Sequence, residues 1–425
     1  DREMSAQAAA MNAQRHAANI KSVVAIDEYG DRGDENIGEF LRFIPSVALN
    51  DSGHVPNEVV IRGFPSYNSN LMVDGAGIVG ARSGATRALS LLEVPTGNIS
   101  RVEVTKVPTP DMPASGLGGS VNIISKSGFE SRKPAGNYQV YQIFHSRSGL
   151  TLDGGRRNQV PGTTTKYVEP SFNFSYLYPV NASLAISVGG SRTWRQKPME
   201  EGDDADETAT WNLVSGVQRT SEWQSLAQII KTWSGQVGVD WRISTHDTLS
   251  TGFQYRGSGS YITRSNFVAN YGTGATGDAT HTQGASTAVG TVTQADGANQ
   301  DIDTATSLLT LKYRRKADAW RFDASASWCL AESQTTDIDH GHFNTAPSTI
   351  SNLVLRGDGI PSSGGYIPTR YNATTRTGAA VELYDGGSYS IGSGRSAQTD
   401  YNTEQTTGRL DLTRDFTGAL PLTLK

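Results

Sequence analysis

Hydrophobic and polar positions follow two different grammars along this chain, and the change comes near residue 135. Over residues 1–135 the pattern is mixed α/β. Met4 to Ile20 is alanine-rich and predicts a helix. A second helix is predicted after Asp34, a good N-cap, because Ile37, Phe40, Leu41 and Ile44 recur at helical spacing until Pro45 stops it. Short strands are predicted at Glu58–Arg62, Asn70–Val73, Arg101–Val107 and Val121–Ser125. Asp74-Gly75 and the glycines Gly116, Gly118 and Gly119 mark tight turns between them.

From about residue 136 the helical period gives way to alternation. In Trp320 to Leu330 the apolar set is Trp320, Phe322, Ala324, Ala326, Trp328 and Leu330, and between them stand Arg321, Asp323, Ser325, Ser327 and Cys329. One face is apolar with a tryptophan near each end; the other is polar. A tilted strand of that length spans roughly 20 Å, close to the apolar band of an outer-membrane barrel with aromatic girdles. The same rows recur at Phe172, Phe174, Tyr176 and Tyr178; at Leu184, Ile186 and Val188; at Trp233, Val237, Val239 and Trp241; at Leu249, Phe253 and Tyr255; and at Leu309, Leu311 and Tyr313. Pro179–Ala182, Ser244–Asp247 and Lys316–Ala319 read as short turns, whereas Gln196–Glu222, Val268–Ile302 and Ile338–Asp400 read as long polar loops. Short turns at one rim and long loops at the other are the layout of such a barrel. A soluble β-sandwich also alternates, but with shorter strands.

Composition narrows the choice. The 425 residues have 36% hydrophobic and 19% charged positions and 46 glycines, with no long uninterrupted apolar run, which excludes a helical membrane protein. A net charge of −5 offers no basic field, so no nucleic-acid partner is expected. The one cysteine, Cys329, excludes an internal disulfide and a cysteine-based zinc centre, and alternation puts it on the lumen side. No His and Asp stand at a spacing that would activate it or any serine, so no enzyme is expected. No signal peptide is visible at the N-terminus.

Several segments of residues 1–135 carry a family resemblance: NIGEFLRFIPSVAL at Asn36–Leu49, VVIRGF at Val59–Phe64, NLMVDG at Asn70–Gly75 and ISRVEVTKVPTPDMPASGLGGSVNIISK at Ile99–Lys126. In order, spacing and residue type they resemble the plug domain of a TonB-dependent outer-membrane receptor. The pieces at Asn12–Arg15 and Asn19–Val24 resemble a large-receptor branch of that family. The resemblance implies a plug over residues 1–135 and the N-terminal portion of a transmembrane barrel over residues 136–425. Family barrels have 22 strands, and the pattern gives about eight or nine here. An open sheet leaves unpaired backbone groups that are costly in hydrocarbon, so the expectation is an incomplete barrel and a longer full chain. No TonB box is recognisable.

The resemblance further implies active import of a bulky or scarce nutrient, with a lean to oligosaccharide. The alternatives are a ferric siderophore or cobalamin, or a surface binding or scaffold protein that does not transport. A secreted carbohydrate-active enzyme is a third reading, disfavoured because it leaves the plug motifs without a purpose. The implied partners are TonB with its inner-membrane energising complex, the external ligand, outer-membrane lipid and, in this branch, a surface lipoprotein; no cofactor is implied. By the resemblance Arg62 makes plug–barrel ion pairs with barrel glutamates. Lys106 stands where the family usually has a second cation with fork geometry, which lysine lacks. Tyr67, Asn68, Asn70, Arg82 and Arg87 fall in plug loops that the family turns toward external substrate, and these polar types suit a hydroxyl-rich or anionic ligand. No metal site is expected. Asp337, Asp339, His340 and His342 have donor types that bind divalent ions, but solvated loop residues are the simpler reading, as for the acidic run Glu200–Glu207. The GLGGS segment at Gly116–Ser120 lacks a phosphate-loop Lys-Ser/Thr pair and reads as a plug turn.

Overall fold

The computed structural model describes residues 10–17, 19–25, 37–52, 55–81, 91, 94, 98–107, 112, 116–143, 170–199, 208–212, 216–317, 319–361, 367–416 and 422–424. Arg82, Arg87, Tyr366, the run Glu200–Glu207 and the start of the alanine-rich segment lie outside this set; residues 10–15 are helical. Among the described residues no helix is long and apolar enough to cross a membrane.

The N-terminal part contains β1 (Lys21–Ala25), a helix at Ile37–Leu41, β2 (Val47–Ser52), β3 (Val55–Ile61), β4 (Ser69–Val73), β5 (Ala76–Gly77), β6 (Ile99–Thr105) and β7 (Gly119–Ser125). Five of these strands form a mixed sheet in the order β1-β6-β7-β4-β5, and β2 pairs with β3. The alternation within β6 and β7 buries Val102, Val104, Val121 and Ile123, and the helix adds Ile37 and Leu41 to the same core. The Asp74-Gly75 signal is a left-handed turn, with φ of 52° and 81°, joining β4 to β5. Both residues must adopt positive φ, which is why Asp and Gly occupy them.

The second part comprises β8 (Ala135–Tyr141), β9 (Ser171–Pro179), β10 (Leu184–Met199), β11 (Thr208–Asn212), β12 (Val217–Arg242), β13 (Asp247–Asn270), β14 (Thr276–Gly277), β15 (His281–Gln283), β16 (Gly290–Ala317), β17 (Trp320–Thr336), β18 (Ser348–Asp358), β19 (Arg370–Thr374), β20 (Ala380–Val381), β21 (Ser390–Ile391), β22 (Gln398–Phe416) and β23 (Leu422–Leu424). Its main ladder runs antiparallel through β8-β9-β10-β12-β13-β16-β17-β22-β23, and its end strands do not pair with each other. The pairing register sets Trp328 opposite Leu309, Ala326 opposite Leu311 and Ala324 opposite Tyr313. That row is the outer face: Leu309 and Leu311 are exposed, and the Phe322 ring lies 6.1 Å from Tyr313. One residue along, Leu308 and Cys329 are each 1% exposed and join the plug core. The outward apolar row and the inward position of Cys329 agree with the alternation, because a slip of one residue would exchange the two faces.

The long loops differ from the expectation. Val268–Ile302 is not one loop: β13 continues to Asn270 and β16 begins at Gly290. In Gln196–Glu222, β10 runs to Met199 and β12 starts at Val217. Ile338–Asp400 carries β18 to β21. The physical reason is that strands outlast the apolar band. Above it both faces meet water, so hydropathy stops alternating while the backbone ladder continues. The connections fold into a module with its own core of Ala269, Tyr271, Val292, Ile350, Leu353, Leu355, Ala373 and Leu383. Tyr271, fully buried, seals this module; Trp194 is buried within β10, and Tyr384 stays exposed.

Candidate functional site

The orientation of the plug follows from what its strand ends touch. Below the C-terminal end of β7, Ser127 Oγ donates to Asp240 Oδ2 at 2.6 Å, and Ser250 Oγ donates to the other oxygen at 2.6 Å. Ser125 Oγ accepts from Gln254 Nε2 at 3.0 Å. The guanidinium of Arg242 lies 3.8 Å from the centre of the Phe129 ring. Asp240, Arg242 and Ser250 all stand beside the short turn 243–246, so this end of the plug faces the short-turn rim. β4 runs parallel to β7, with Ser69 beside Gly119 and Val73 beside Ile123. The N-terminal ends of β4 and β7 therefore point toward the long-loop rim.

Tyr67, Asn68 and Asn70 sit at that outward end. Tyr67 and Asn68 form a short 3-10 turn, Ser66–Asn68, and Asn70 follows in β4. Tyr67 is 52% exposed. The Asn68 carbonyl accepts from Gly118 N at 3.0 Å, tying the turn to the glycine segment before β7. Gly118 is required by proximity, since a Cβ there would lie 2.8 Å from Phe64 Cβ. The other two residues expected at this end, Arg82 and Arg87, lie outside the described residues.

Arg62 and Lys106 belong to the same end. Arg62 and Gly63 have φ of 57° and 78°, and Phe64 N–H closes their turn on the Ile61 carbonyl at 3.1 Å. This turn leaves the Arg62 side chain exposed, donating from Nη1 to the Lys106 carbonyl at 2.9 Å and lying 5.9 Å from the Phe64 ring centre. Arg62 and Lys106 are thus brought together, through the backbone of one and the guanidinium of the other. The carboxylate partner implied for Arg62 is not among these contacts.

Deeper in the sheet, Glu103 is clamped by Lys21 at 2.8 Å and Arg101 at 2.9 Å. Burial pushes its carboxyl up, but the two cations and their hydrogen bonds bring it net below its ordinary value. The Ser127–Asp240–Ser250 node and the Arg242–Phe129 stack were not singled out from sequence. Alternation places Asp240 and Ser250 on the inward face, but only the three-dimensional register shows which plug residue meets them.

The arrangement sets a small sheet against the inward face of the long antiparallel ladder, with exposed polar residues at one end. A family model described as TonB-dependent Receptor Plug Domain matches residues 13–121. No curated protein matches the chain. Among solved structures, the chain resembles a mutant of the ferric enterobactin receptor PfeA of Pseudomonas aeruginosa in complex with enterobactin, at 15% identity and a TM-score of 0.39, covering 80% of this chain and 56% of that one. The siderophore receptor PirA of Acinetobacter baumannii gives 12% identity, a TM-score of 0.41 and coverages of 96% and 60%. P. aeruginosa FpvA bound to heterologous pyoverdines gives 14%, 0.45, and 96% and 51%. The chain thus spans between about half and three-fifths of the length of these structures.

Proposed function

The chain carries the plug domain of a TonB-dependent receptor, followed by antiparallel strands of the outer-membrane barrel type, and we propose that the protein imports a bulky or scarce polar nutrient across the bacterial outer membrane. The outer membrane has no ATP or ion gradient of its own, so energy reaches the receptor from the inner membrane through TonB. The plug shifts to open a path, and no bond of the nutrient is made or broken. The observation that carries this reading is the docking of the plug: one end is bonded to the barrel wall, and the other presents Tyr67, Asn68, Asn70, Arg62 and Lys106 toward the long-loop rim.

The first reading of the ligand is an oligosaccharide, because Tyr67 offers an aromatic face and the asparagines offer amide donors and acceptors. A surface lipoprotein partner belongs with that reading. A second reading, an anionic chelate such as a ferric siderophore, is supported by the exposed guanidinium of Arg62. The test is calorimetry on the purified full-length protein with both ligand classes, coupled to uptake in cells with and without TonB. The Tyr67→Ala/Arg82→Ala double variant is expected to weaken binding while the barrel assembles normally. Unchanged affinity removes these loops from the site. Ligand binding with no TonB-dependent uptake replaces import with the scaffold reading.

A further inference from the structure

At the outer end of β17 the chain turns back through Asp337 to His342, and the turn closes on the neighbouring strand β16. His340 Nδ1 lies 2.7 Å from Asp301 Oδ2, and His342 Nε2 lies 3.3 Å from the same oxygen. These three donor atoms all fall within 4.8 Å of one another. We propose that Asp301, His340 and His342 form a binding site for a borderline divalent metal ion, Zn²⁺ or Cu²⁺, on the external rim of the barrel. The proposal is independent of the import reading and of which nutrient is carried.

Four observations carry it. The donor set is two imidazoles and one carboxylate, the combination that selects zinc, copper and their neighbours over calcium or magnesium. The distances suit it: with metal–ligand bonds of about 2.0–2.2 Å, donor atoms of a tetrahedral site stand roughly 3.3 Å apart. The Asp301–His342 pair already has that separation, the shorter Asp301–His340 contact at 2.7 Å has to open by about 0.6 Å, and the two imidazole nitrogens lie within 4.8 Å of each other.

The frame is also fixed. His340 N bonds to the Thr336 carbonyl at 3.2 Å, Gly341 N to Ile338 at 3.1 Å and His342 N to Asp337 at 2.8 Å, while Gly341 takes a φ of 68° that favours glycine. The His342 ring is backed by Tyr261, with ring centres 5.7 Å apart. Asp301 is held from behind, because its N–H donates to Asp337 Oδ1 at 2.8 Å.

Finally, the local charge is unbalanced. Asp337 is 0% exposed, and its second oxygen has no hydrogen-bond partner. Asp303 stands two residues from Asp301, and Asp339 accepts only a neutral amide from Gln398 at 3.1 Å. Among the described residues no lysine or arginine pairs with any of these carboxylates. A bound cation offsets that charge in a place where the described residues supply no lysine or arginine.

The sequence motif DIDHGH holds the two histidines, but the third ligand comes from a different strand. The last ladder pair between β16 and β17 before the turn is Ile302 with Thr335, which delivers Asp301 to the mouth of the turn. Asp339, the other acidic residue of the motif, points its interaction elsewhere and is the natural control.

The test uses the full-length protein purified in detergent and stripped of metal with a chelator. Zn²⁺ titrated by calorimetry is expected to bind at one equivalent. H340Q/H342Q is expected to weaken it at least tenfold, D301N likewise, and D339N not at all. Cu²⁺ bound to the unaltered protein is expected to show coupling to two imidazole nitrogens in its electron paramagnetic resonance spectrum. That measurement decides the matter even if a variant fails to assemble. Absence of stoichiometric Zn²⁺ binding, absence of nitrogen coupling, or wild-type affinity in H340Q/H342Q overturns the proposal.

Discussion

Gly128 sits where the plug passes into the barrel, and replacing it tests how the two are joined. It opens the 3-10 turn Gly128–Glu130, which a capping box secures: Ser127 Oγ accepts from Phe129 N at 3.2 Å, and Glu130 accepts from Ser127 N at 3.2 Å. A Cβ on Gly128 would lie 2.8 Å from Ala185 Cβ and 2.9 Å from both the nitrogen and the carbonyl oxygen of Ile186. Two of those three atoms are backbone of a paired strand and cannot rotate away. The turn itself must therefore lift, and with it Ser127 and its bond to Asp240. Overpacking of one methyl group costs about 1–3 kcal/mol, which multiplies the population of the locally opened state roughly 5- to 150-fold.

Gly128→Ala is therefore expected to speed tryptic cleavage after Arg132, an exposed residue in the adjoining link, by a factor in that range. Gly235→Ala is the control, since a Cβ at Gly235 meets nothing within 4 Å. Limited proteolysis of the folded protein in micelles, read by mass spectrometry, gives the rates. Equal rates for Gly128→Ala and the unaltered protein would refute the claim that β10 confines this turn. Equal acceleration in both variants would refute its location.

Three further outcomes are expected. The pKa of Glu103 is depressed in the folded state, so its contribution to stability is present above its unfolded value of about 4.3 and is lost as pH falls through the folded value; Glu103→Gln should flatten the acid limb of the unfolding curve below about pH 4 and leave the pH dependence of the neutral region unchanged. Leu311→Arg, on the outer face between Leu309 and Tyr313, should impair membrane assembly by ~2–4 kcal/mol, whereas Phe322→Arg, beside the short-turn rim, should cost closer to ~0–1 kcal/mol; folding-efficiency measurements into lipid vesicles compare them. Leu308→Ala opens a cavity against the plug core and should lower stability by about 2–5 kcal/mol, while Leu309→Ala, one residue away and 45% exposed, should do much less; denaturant midpoints distinguish the two.

The parts that were legible in the sequence were those governed by local periodicity. In β17 the alternation around Trp328 and Cys329 fixes which face meets the plug, because the side-chain period of a strand is two and an apolar band makes the pattern visible. The same reasoning fails at Thr291–Ile302, where a ladder continues with polar residues on both faces and hydropathy carries no signal. The DIDHGH motif shows the opposite limit: its two histidines are readable, but Asp301 reaches them only through the pairing of β16 with β17. At the plug, the family resemblance is what assigns Tyr67, Asn68 and Asn70 to a ligand, whereas the parallel pairing of β4 with β7 gives only their position at the N-terminal end of those strands. The left-handed turn that exposes Arg62 was not legible, because arginine is seldom the residue such a turn selects.

The chemistry of the plug–wall contact bears on how such a domain is released. Most of the bonds across it are polar: Ser127 to Asp240 and Gln254 to Ser125. A hydrogen bond of this kind contributes only about 0.5–1.5 kcal/mol net, somewhat more to a charged group, because water replaces it when it breaks. Among the described residues, Leu308 and Cys329 add apolar contact with the plug core, Cys329 near Val79. Such an interface locates the plug in register without binding it as a hydrophobic core would, since a core of the same area loses its stabilisation with no exchange for water contacts. A plug that slides or partly opens under a pull from the short-turn side thus breaks bonds that water can remake one at a time.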